Sequence, residues 1–143
     1  MKNVQWKAVI VGFCVDIIGS ILAISAIMGV MVFVLVKQYG MDISQPQLID
    51  IITKVSTYRI IGLIFTVAGG FVAAQIAKRS ELQHGLLVGI VHVTLAVPIT
   101  LLIIFMNRTI PSSIHLVQLF LIIPCAILGG YLRYVLIGAK DTK

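Results

Sequence analysis

Four long runs of apolar residues, separated by short polar breaks, dominate the pattern of this chain. A transmembrane helix needs about 20 mainly apolar residues to cross about 30 Å of hydrocarbon. Each run is long enough, so the pattern predicts four membrane-spanning helices. The predicted spans cover residues 8–36, 60–77, 85–106 and 114–137.

The polar breaks carry the signals of turns and of one further helix. The break from Lys78 to Glu81 is short, so the third span must run antiparallel beside the second. In the longer first break, Pro46 follows a serine that can cap a helix, and apolar residues then recur at helical spacing. This pattern predicts an outer amphipathic helix over about residues 46–58, lying on the bilayer or on the other helices, or else the exposed start of the second span. Docking of a partner is the alternative role for that helix.

Together these elements predict an all-α fold: a polytopic membrane protein whose four spans form a transmembrane helix bundle. The loops are too short for a soluble domain beside the spans, so residues 1–143 form one domain. The glycine pair Gly69 and Gly70 recurs as Gly129 and Gly130, each time followed by an aromatic residue. Two tandem helical hairpins would explain this repeat, and the general abundance of glycine in membrane helices explains it equally well.

Composition and charge agree with a membrane protein. Hydrophobic residues make up 59% of the chain and charged residues 11%, and the mean hydropathy is +1.10. The net charge of +6 does not indicate nucleic-acid binding, because the basic residues lie singly at span ends instead of forming a stripe. Their bias between the two sides of the four-span arrangement predicts that both termini are cytoplasmic. The six on the side of the termini are Lys2, Lys7, Lys78, Arg79, Lys140 and Lys143, and the four opposite are Lys37, Lys54, Arg59 and Arg108.

Small residues line one face of several spans and indicate how the helices pack. On the first span, Gly12, Asp16 and Gly19 follow one another at steps of three and four, which places them on one helix face. The third and fourth spans carry similar faces around His92 and Arg133. Because small residues let helix backbones approach closely in lipid, we expect these faces to turn inward. The glycines assigned to helix packing are Gly12, Gly19, Gly69, Gly70, Gly85, Gly89, Gly129 and Gly130.

Asp16, His92 and Arg133 are therefore the candidate site. An ionised side chain within lipid is costly and needs a partner, so we expect Asp16 to pair with Arg133 and His92 to lie at a similar depth. One hypothesis makes Asp16 a proton or cation site, with His92 able to exchange protons near neutral pH. The other makes these residues a structural ion pair that fixes helix register. Gln75 and His84 are expected at the membrane interface.

Two stretches resemble known families. The sequence GGFVAAQIAKRSELQHGLLVGIVH at 69–92, with GGYLR at 129–133, resembles a pattern in uncharacterised four-span small membrane proteins of bacteria. This resemblance implies a helix bundle in the bacterial inner (plasma) membrane. The sequence WKAVIVGFCVDIIGSILAI around Asp16 is similar to the first span of small multidrug resistance transporters, whose acidic residue binds protons and cationic drugs. Asp16, Gly19 and Ser20 match that family, with aspartate standing where the family has glutamate.

The sequence contains no complete catalytic, metal or nucleotide motif, so we expect neither an enzyme nor a cofactor. Its two cysteines, Cys14 and Cys125, lie within apolar runs and are expected to act as packing residues. The leading expectation is a small non-enzymatic accessory or interaction component of the inner membrane that lies in the bilayer and self-associates or joins a larger complex. The alternative is a minimal proton-coupled small-molecule transporter that uses Asp16.

Overall fold

A computed structural model describes residues 4–39, 57–78, 80–107 and 113–138, and nearly all of them are helical. The prediction of an all-α chain is confirmed over this part of the molecule. Of the predicted amphipathic helix, residues 46–56 lie outside the described residues. The elements are α1 (Trp6–Tyr39), α2 (Thr57–Ala77), α3 (Glu81–Asn107) and α4 (Ser113–Arg133), which continues into a π-helical turn over Tyr134–Gly138.

Three of these helices are long and apolar enough to cross a membrane. They are the segments Trp6–Gln38, Glu81–Met106 and Val117–Ile137. The apolar part of α2, Ile61–Ala77, is shorter. At a rise of about 1.5 Å per residue it covers slightly less than about 30 Å of hydrocarbon. Length and composition therefore support three of the four predicted spans.

A tight turn joins α2 to α3. Lys78 and Ser80 adopt left-handed backbone conformations, with φ of 53° and 52°, which a helix cannot continue through. The carbonyl of Ser80 then accepts the backbone N–H groups of Gln83 and His84 at 3.0 and 3.2 Å, which opens α3. Glu81 places an acidic side chain in the first turn of α3, where the helix dipole favours negative charge.

The adjacent glycines of α2, Gly69 and Gly70, contact two different neighbouring helices. A Cβ built on Gly69 would lie 2.5 Å from the carbonyl oxygen of Gly12 in α1. A Cβ on Gly70 would collide with the backbone carbonyl of Ala126 in α4. Successive residues of a helix point about 100° apart, so the glycine pair lets α2 approach both helices closely at once.

The second glycine pair works in the same way on α4. A Cβ on Gly129 would collide with the carbonyl of Val67 in α2, and one on Gly130 would lie 2.7 Å from the carbonyl oxygen of Glu81 in α3. The helices are thus ordered α1, α2, α4, α3 by their close contacts, and α3 also touches α2 and α1.

The remaining glycines assigned to packing also lie against neighbouring helices. Gly19 lies under the ring of Phe65 in α2, and Gly85 and Gly89 lie against Ala126 and Ile123 of α4. The fully buried apolar residues are mostly small, whereas large ones such as Phe105 and Phe120 are exposed by 85% and 80%. A surface of large apolar side chains around an interior of small ones suits helices that pack within lipid.

Several chain segments meet at one end of the molecule. The backbone N–H of Gln5, just before α1, donates to His84 Nε2 at 3.1 Å, and its side-chain amide donates to the carbonyl of Ala77 at 3.4 Å. Arg133, at the end of α4, bonds to Glu81 at the start of α3. The start of α1, the α2–α3 turn and the end of α4 therefore lie together, so successive helices run in opposite directions.

Candidate polar site between the helices

Asp16 lies at the centre of the candidate site and is fully buried. It is on the face of α1 that packs closely on α2, because Gly69 leaves room for it: a Cβ on Gly69 would lie 2.9 Å from Asp16 Cβ. A buried carboxylate needs donors to replace the water that it has lost. Asp16 finds these donors on two other helices.

Thr66 of α2 supplies the first partner. Its hydroxyl lies 3.0 Å from Asp16 Oδ1 and also 3.0 Å from the carbonyl oxygen of Gly62, one turn earlier in its own helix. A hydroxyl has one hydrogen to donate and can accept another. Thr66 can therefore donate to ionised Asp16, or accept from protonated Asp16 while donating to Gly62. Its hydrogen bonding is satisfied in both protonation states of the carboxyl group.

His92 of α3 supplies the second partner. Its Nδ1 lies 2.5 Å from Asp16 Oδ2, a short contact between a fully buried side chain and one exposed by 19%. The ring of Phe13 packs edge-on against the imidazole, with centroids 6.2 Å apart. With Nδ1 donating to Asp16, a neutral imidazole keeps the lone pair of Nε2 free to accept a hydrogen bond. Asp16 thus selects the tautomer and the orientation of His92.

Two cavities border His92, and they share the side chains of His92, Gln118 and Ile122. The chamber, as we call the larger cavity of about 330 Å³, also reaches Ser20 and Thr66. The smaller cavity, of about 240 Å³, lies between α3 and α4 and is here called the side cavity. Each is large enough for water or a small ligand, and each is mostly apolar with a few polar groups, as ligand sites commonly are. The remaining lining of the side cavity is Ala96, Thr100 and Leu119.

The expected pair of Asp16 with Arg133 is not found. Arg133, only 4% exposed, instead donates from Nη1 to Glu81 Oε1 at 2.6 Å and from Nε to Gln75 Oε1 at 3.2 Å. The reason is depth: Arg133 is the last residue of α4, at the end where α3 begins, whereas Asp16 lies almost three turns into α1. The structure therefore separates the predicted site into the Asp16–His92 pair and an Arg133–Glu81 ion pair.

His84, expected at the interface, is also buried, with 1% exposure. Its Nε2 accepts from the backbone of Gln5, so Nδ1 must donate to the carbonyl oxygen of Ser80, 3.0 Å away. These two bonds require a neutral imidazole. His84 therefore fastens the start of α1 to the α2–α3 turn.

Thr66 and Gln118 belong to the site but were not predicted from the sequence. Thr66 had a usable signal, since it lies with Gly62, Gly69 and Ala73 at steps of three and four on the small-residue face of α2. The only sequence signal for Gln118 was that it is a polar residue within an apolar helix. Within the described residues, no group of three histidine, cysteine or acidic side chains is placed to hold a metal ion. Both cysteines are free thiols.

Comparisons with protein-family models, curated proteins and solved structures find no match to this chain. The geometry around Asp16 is therefore the basis for a functional proposal.

Proposed function

We propose that this chain is a small, non-enzymatic integral membrane protein that couples proton exchange at the Asp16–His92 pair to the movement of a small molecule. The observation that carries the proposal is a fully buried carboxylate, 2.5 Å from an imidazole that borders two cavities. Ionisable residues within membrane spans are costly to retain and commonly mark proton or substrate pathways. The proposed site is Asp16, His92 and Thr66.

The proton path in this proposal runs from the cavities to Asp16 through His92. An imidazole can take a proton on Nε2 while Nδ1 passes one to a bonded carboxylate, since its two nitrogens exchange donor and acceptor roles. Thr66 supports the exchange because its hydroxyl suits both the ionised and the protonated carboxyl group. Cavity water or a ligand would deliver the proton to His92.

The proposed setting is a bundle of four spans in a bacterial inner membrane, with both termini in the cytoplasm. In this proposal α2 crosses as well, which is supported by the position of the starts of α1 and α3 at the same end, where Gln5 meets His84. Its short apolar part is flanked by α1 and α4, and a local thinning of the bilayer accommodates a short helix at modest cost. The lysine and arginine bias supports the cytoplasmic position of the termini.

A second function, an accessory component of a larger or self-associating membrane complex, is favoured by a different observation. Asp16 and its partners connect α1, α2 and α3, and the close approach of Gly12 to Gly69 leaves little room for movement beside Asp16. A static cross-link that fixes helix register would account for both features.

Flux measurements in proteoliposomes separate the two functions. The purified protein is reconstituted, a pH gradient is imposed, and uptake or efflux of a panel of cationic dyes is followed. Proton coupling predicts gradient-driven flux that disappears in Asp16→Asn and in His92→Gln, while both variants remain folded and inserted. Thr94→Val is the matched control, because Thr94 is exposed and bonds only within α3, to the carbonyl of Ile90. Gradient-driven flux that survives in Asp16→Asn, or its absence from the native protein across the panel, favours the static cross-link.

A further inference from the structure

We infer that His92 and Gln118 bind the polar head of a small amphiphilic molecule, which reaches them sideways from the lipid between α3 and α4. The inference rests on the proposed function, because the ligand would occupy the same histidine nitrogen through which the proton is exchanged. It adds the class of ligand and the direction from which the ligand arrives.

The route is a series of three adjoining spaces. A groove of about 420 Å³ between α3 and α4, here called the α3–α4 groove, is lined by exposed Leu101 and Phe120 on the apolar surface. This groove shares Thr100 and Leu119 with the side cavity. The side cavity in turn shares His92 and Gln118 with the chamber. The spaces therefore adjoin one another in order from the apolar outer surface to His92.

The lining of these spaces indicates the chemistry of the ligand. Among the described residues that line the α3–α4 groove, Thr100 is the one with a polar side chain, and His92 and Gln118 lie further inward. A molecule with an apolar body and one polar head matches this order, with its body in the groove and its head between His92 and Gln118. The cavities are at or below the lower end of the usual range for drug-sized ligands, about 300–1,000 Å³, so the body must be small.

The head group must donate a hydrogen bond. Asp16 holds His92 Nδ1, so the acceptor left on the imidazole is the lone pair of Nε2. A hydroxyl or N–H group satisfies it, and the Gln118 amide can accept from or donate to the same head. An ether or a quaternary ammonium group cannot donate.

The proton and the ligand then compete for the lone pair of Nε2. This competition couples protonation of His92 directly to ligand binding. Once Nε2 is protonated it can no longer accept from the ligand, so protonation of the imidazole weakens ligand binding. The groups that face His92 are Asp16 and Phe13 from α1 and Gln118 from α4, and Thr66 of α2 reaches it through Asp16. Among these described groups Asp16 is the ionisable one.

Nitrogen NMR of the full-length protein in lipid nanodiscs, with ¹⁵N-labelled histidine and no pH gradient, tests the ligand site. The probe is benzyl alcohol, and benzyl methyl ether is the matched compound without a donor. We expect a saturable shift of His92 Nε2 with the alcohol alone, which weakens at low pH. His84 is an internal control because both of its nitrogens are bonded within the protein. Equal shifts with the ether, or shifts that never saturate, would overturn the site.

Two substitutions test the head contact and the route. Gln118→Leu should weaken binding about five- to tenfold, the effect of losing about one hydrogen bond, with the His84 signal unchanged as evidence of an intact fold. Leu119→Trp should slow association several-fold by filling the junction of groove and side cavity, whereas the exposed Leu128→Trp on the same helix should not. Unchanged affinity in Gln118→Leu overturns the head contact, and equal association rates in the two tryptophan variants overturn the sideways route.

The outcomes also separate this inference from the proposed function. Saturable binding in a protein without gradient-driven flux would leave the ligand site standing and contradict proton coupling. Flux that depends on Asp16 without saturable binding of the alcohol would leave the coupling standing and overturn the ligand site.

Discussion

Each carboxyl oxygen of Asp16 has its own donor, Thr66 for Oδ1 and His92 for Oδ2. The two donors differ in what they contribute. Both side chains border the chamber, but the imidazole is a base in its own right, whereas the hydroxyl can only reorient its hydrogen. At the scale of the residue, the proposed proton chemistry is therefore assigned to Asp16 and His92, and Thr66 can bond to Asp16 in either protonation state of the carboxyl group.

The first prediction concerns Thr66. Replacing it with valine keeps the shape of the side chain but leaves Asp16 Oδ1 buried without a donor. We expect Thr66→Val to lower stability by about 1–3 kcal/mol, the usual cost of an unsatisfied buried polar group. Thr94→Val should change stability by less than about 0.5 kcal/mol, because Thr94 is exposed. Unfolding in detergent by titration with a denaturing detergent measures both, and equal effects would contradict the role given to Thr66.

The second prediction concerns Arg133 and Glu81. Removing either partner leaves the other charge largely buried, so Arg133→Gln and Glu81→Gln should each cost about 2–5 kcal/mol. Glu81, which retains 16% side-chain exposure, should fall near the lower end. The double variant should cost less than the sum, since no lone charge remains. A double-mutant cycle by the same unfolding assay measures the coupling, and strict additivity would show that the pair contributes nothing specific.

How far residue-level chemistry could be predicted depends on what sequence spacing encodes. Spacing gives the face of a helix, and it correctly turned Asp16 and Arg133 inward. Spacing does not give the relative depth of residues on different helices, so the partner assigned to Arg133 was wrong. Glu81 can be identified as the partner of Arg133 only from the arrangement of the helices, because α3 begins beside the end of α4.

At the scale of the helix, paired glycines determine which neighbours can approach. A single glycine allows one neighbouring helix to approach closely, and two successive glycines allow close approach on two faces of the helix. Gly69 and Gly70 do this towards α1 and α4. In lipid the apolar side chains gain little by contacting each other instead of acyl chains, so close backbone contact contributes much of the packing energy. The glycine positions therefore determine which helix faces in this molecule can come into close contact.

The third prediction compares two glycines. A methyl group at Gly129 would meet the backbone of Val67 and Phe71 in α2, which cannot move aside without separating the helices. We expect Gly129→Ala to lower stability by about 1–3 kcal/mol or more. Gly29 in α1 has no neighbouring atom within 4 Å of such a methyl group, so Gly29→Ala should be neutral or stabilising by up to about 1 kcal/mol. Melting temperatures in detergent compare the two, and a harmless Gly129→Ala would contradict the close contact of α2 with α4.

Helices themselves were more predictable than their partners. Each predicted span corresponds to a helix whose ends differ by only a few residues, because apolar runs bounded by charges are strong local signals. The order α1, α2, α4, α3 could not be predicted, since the glycine pattern shows which faces pack but not which two faces meet. The helix predicted over residues 46–58 remains a prediction, apart from the two residues that begin α2.

At the scale of the whole molecule, one end holds most of the polar bonds between chain segments among the residues that the structure describes. His84 links the start of α1 to the α2–α3 turn, and Arg133 links α4 to α3. Among the described helices, α1 is 34 residues long and α2 only 21, so α1 is the longer of these two neighbours. We expect the polar end to be the cytoplasmic one, because the positive residues that orient membrane proteins are more numerous there.

The fourth prediction tests that topology by labelling single cysteines with a membrane-impermeant maleimide in intact cells. Cys14 and Cys125 are first replaced by alanine. Cysteines introduced at Lys2 and Gln83 should react only after the cells are opened, because Gln5 and the α2–α3 turn lie at the same end of the molecule. Cysteines at Gln45 and Ser112, in the segments that separate α1 from α2 and α3 from α4, should react from outside.

Each labelling pattern has a distinct structural meaning. Outside labelling at Lys2 and Gln83 alone would invert the orientation while keeping four crossings, and would contradict the positive-charge argument. Labelling of Gln45 on the same side as Gln83 would mean that α2 does not cross, so the short apolar segment Ile61–Ala77 would be a helix that stays at one surface. That result would also remove Thr66 from the membrane interior and with it the enclosed environment of Asp16. The topology experiment therefore tests the setting on which proton exchange depends.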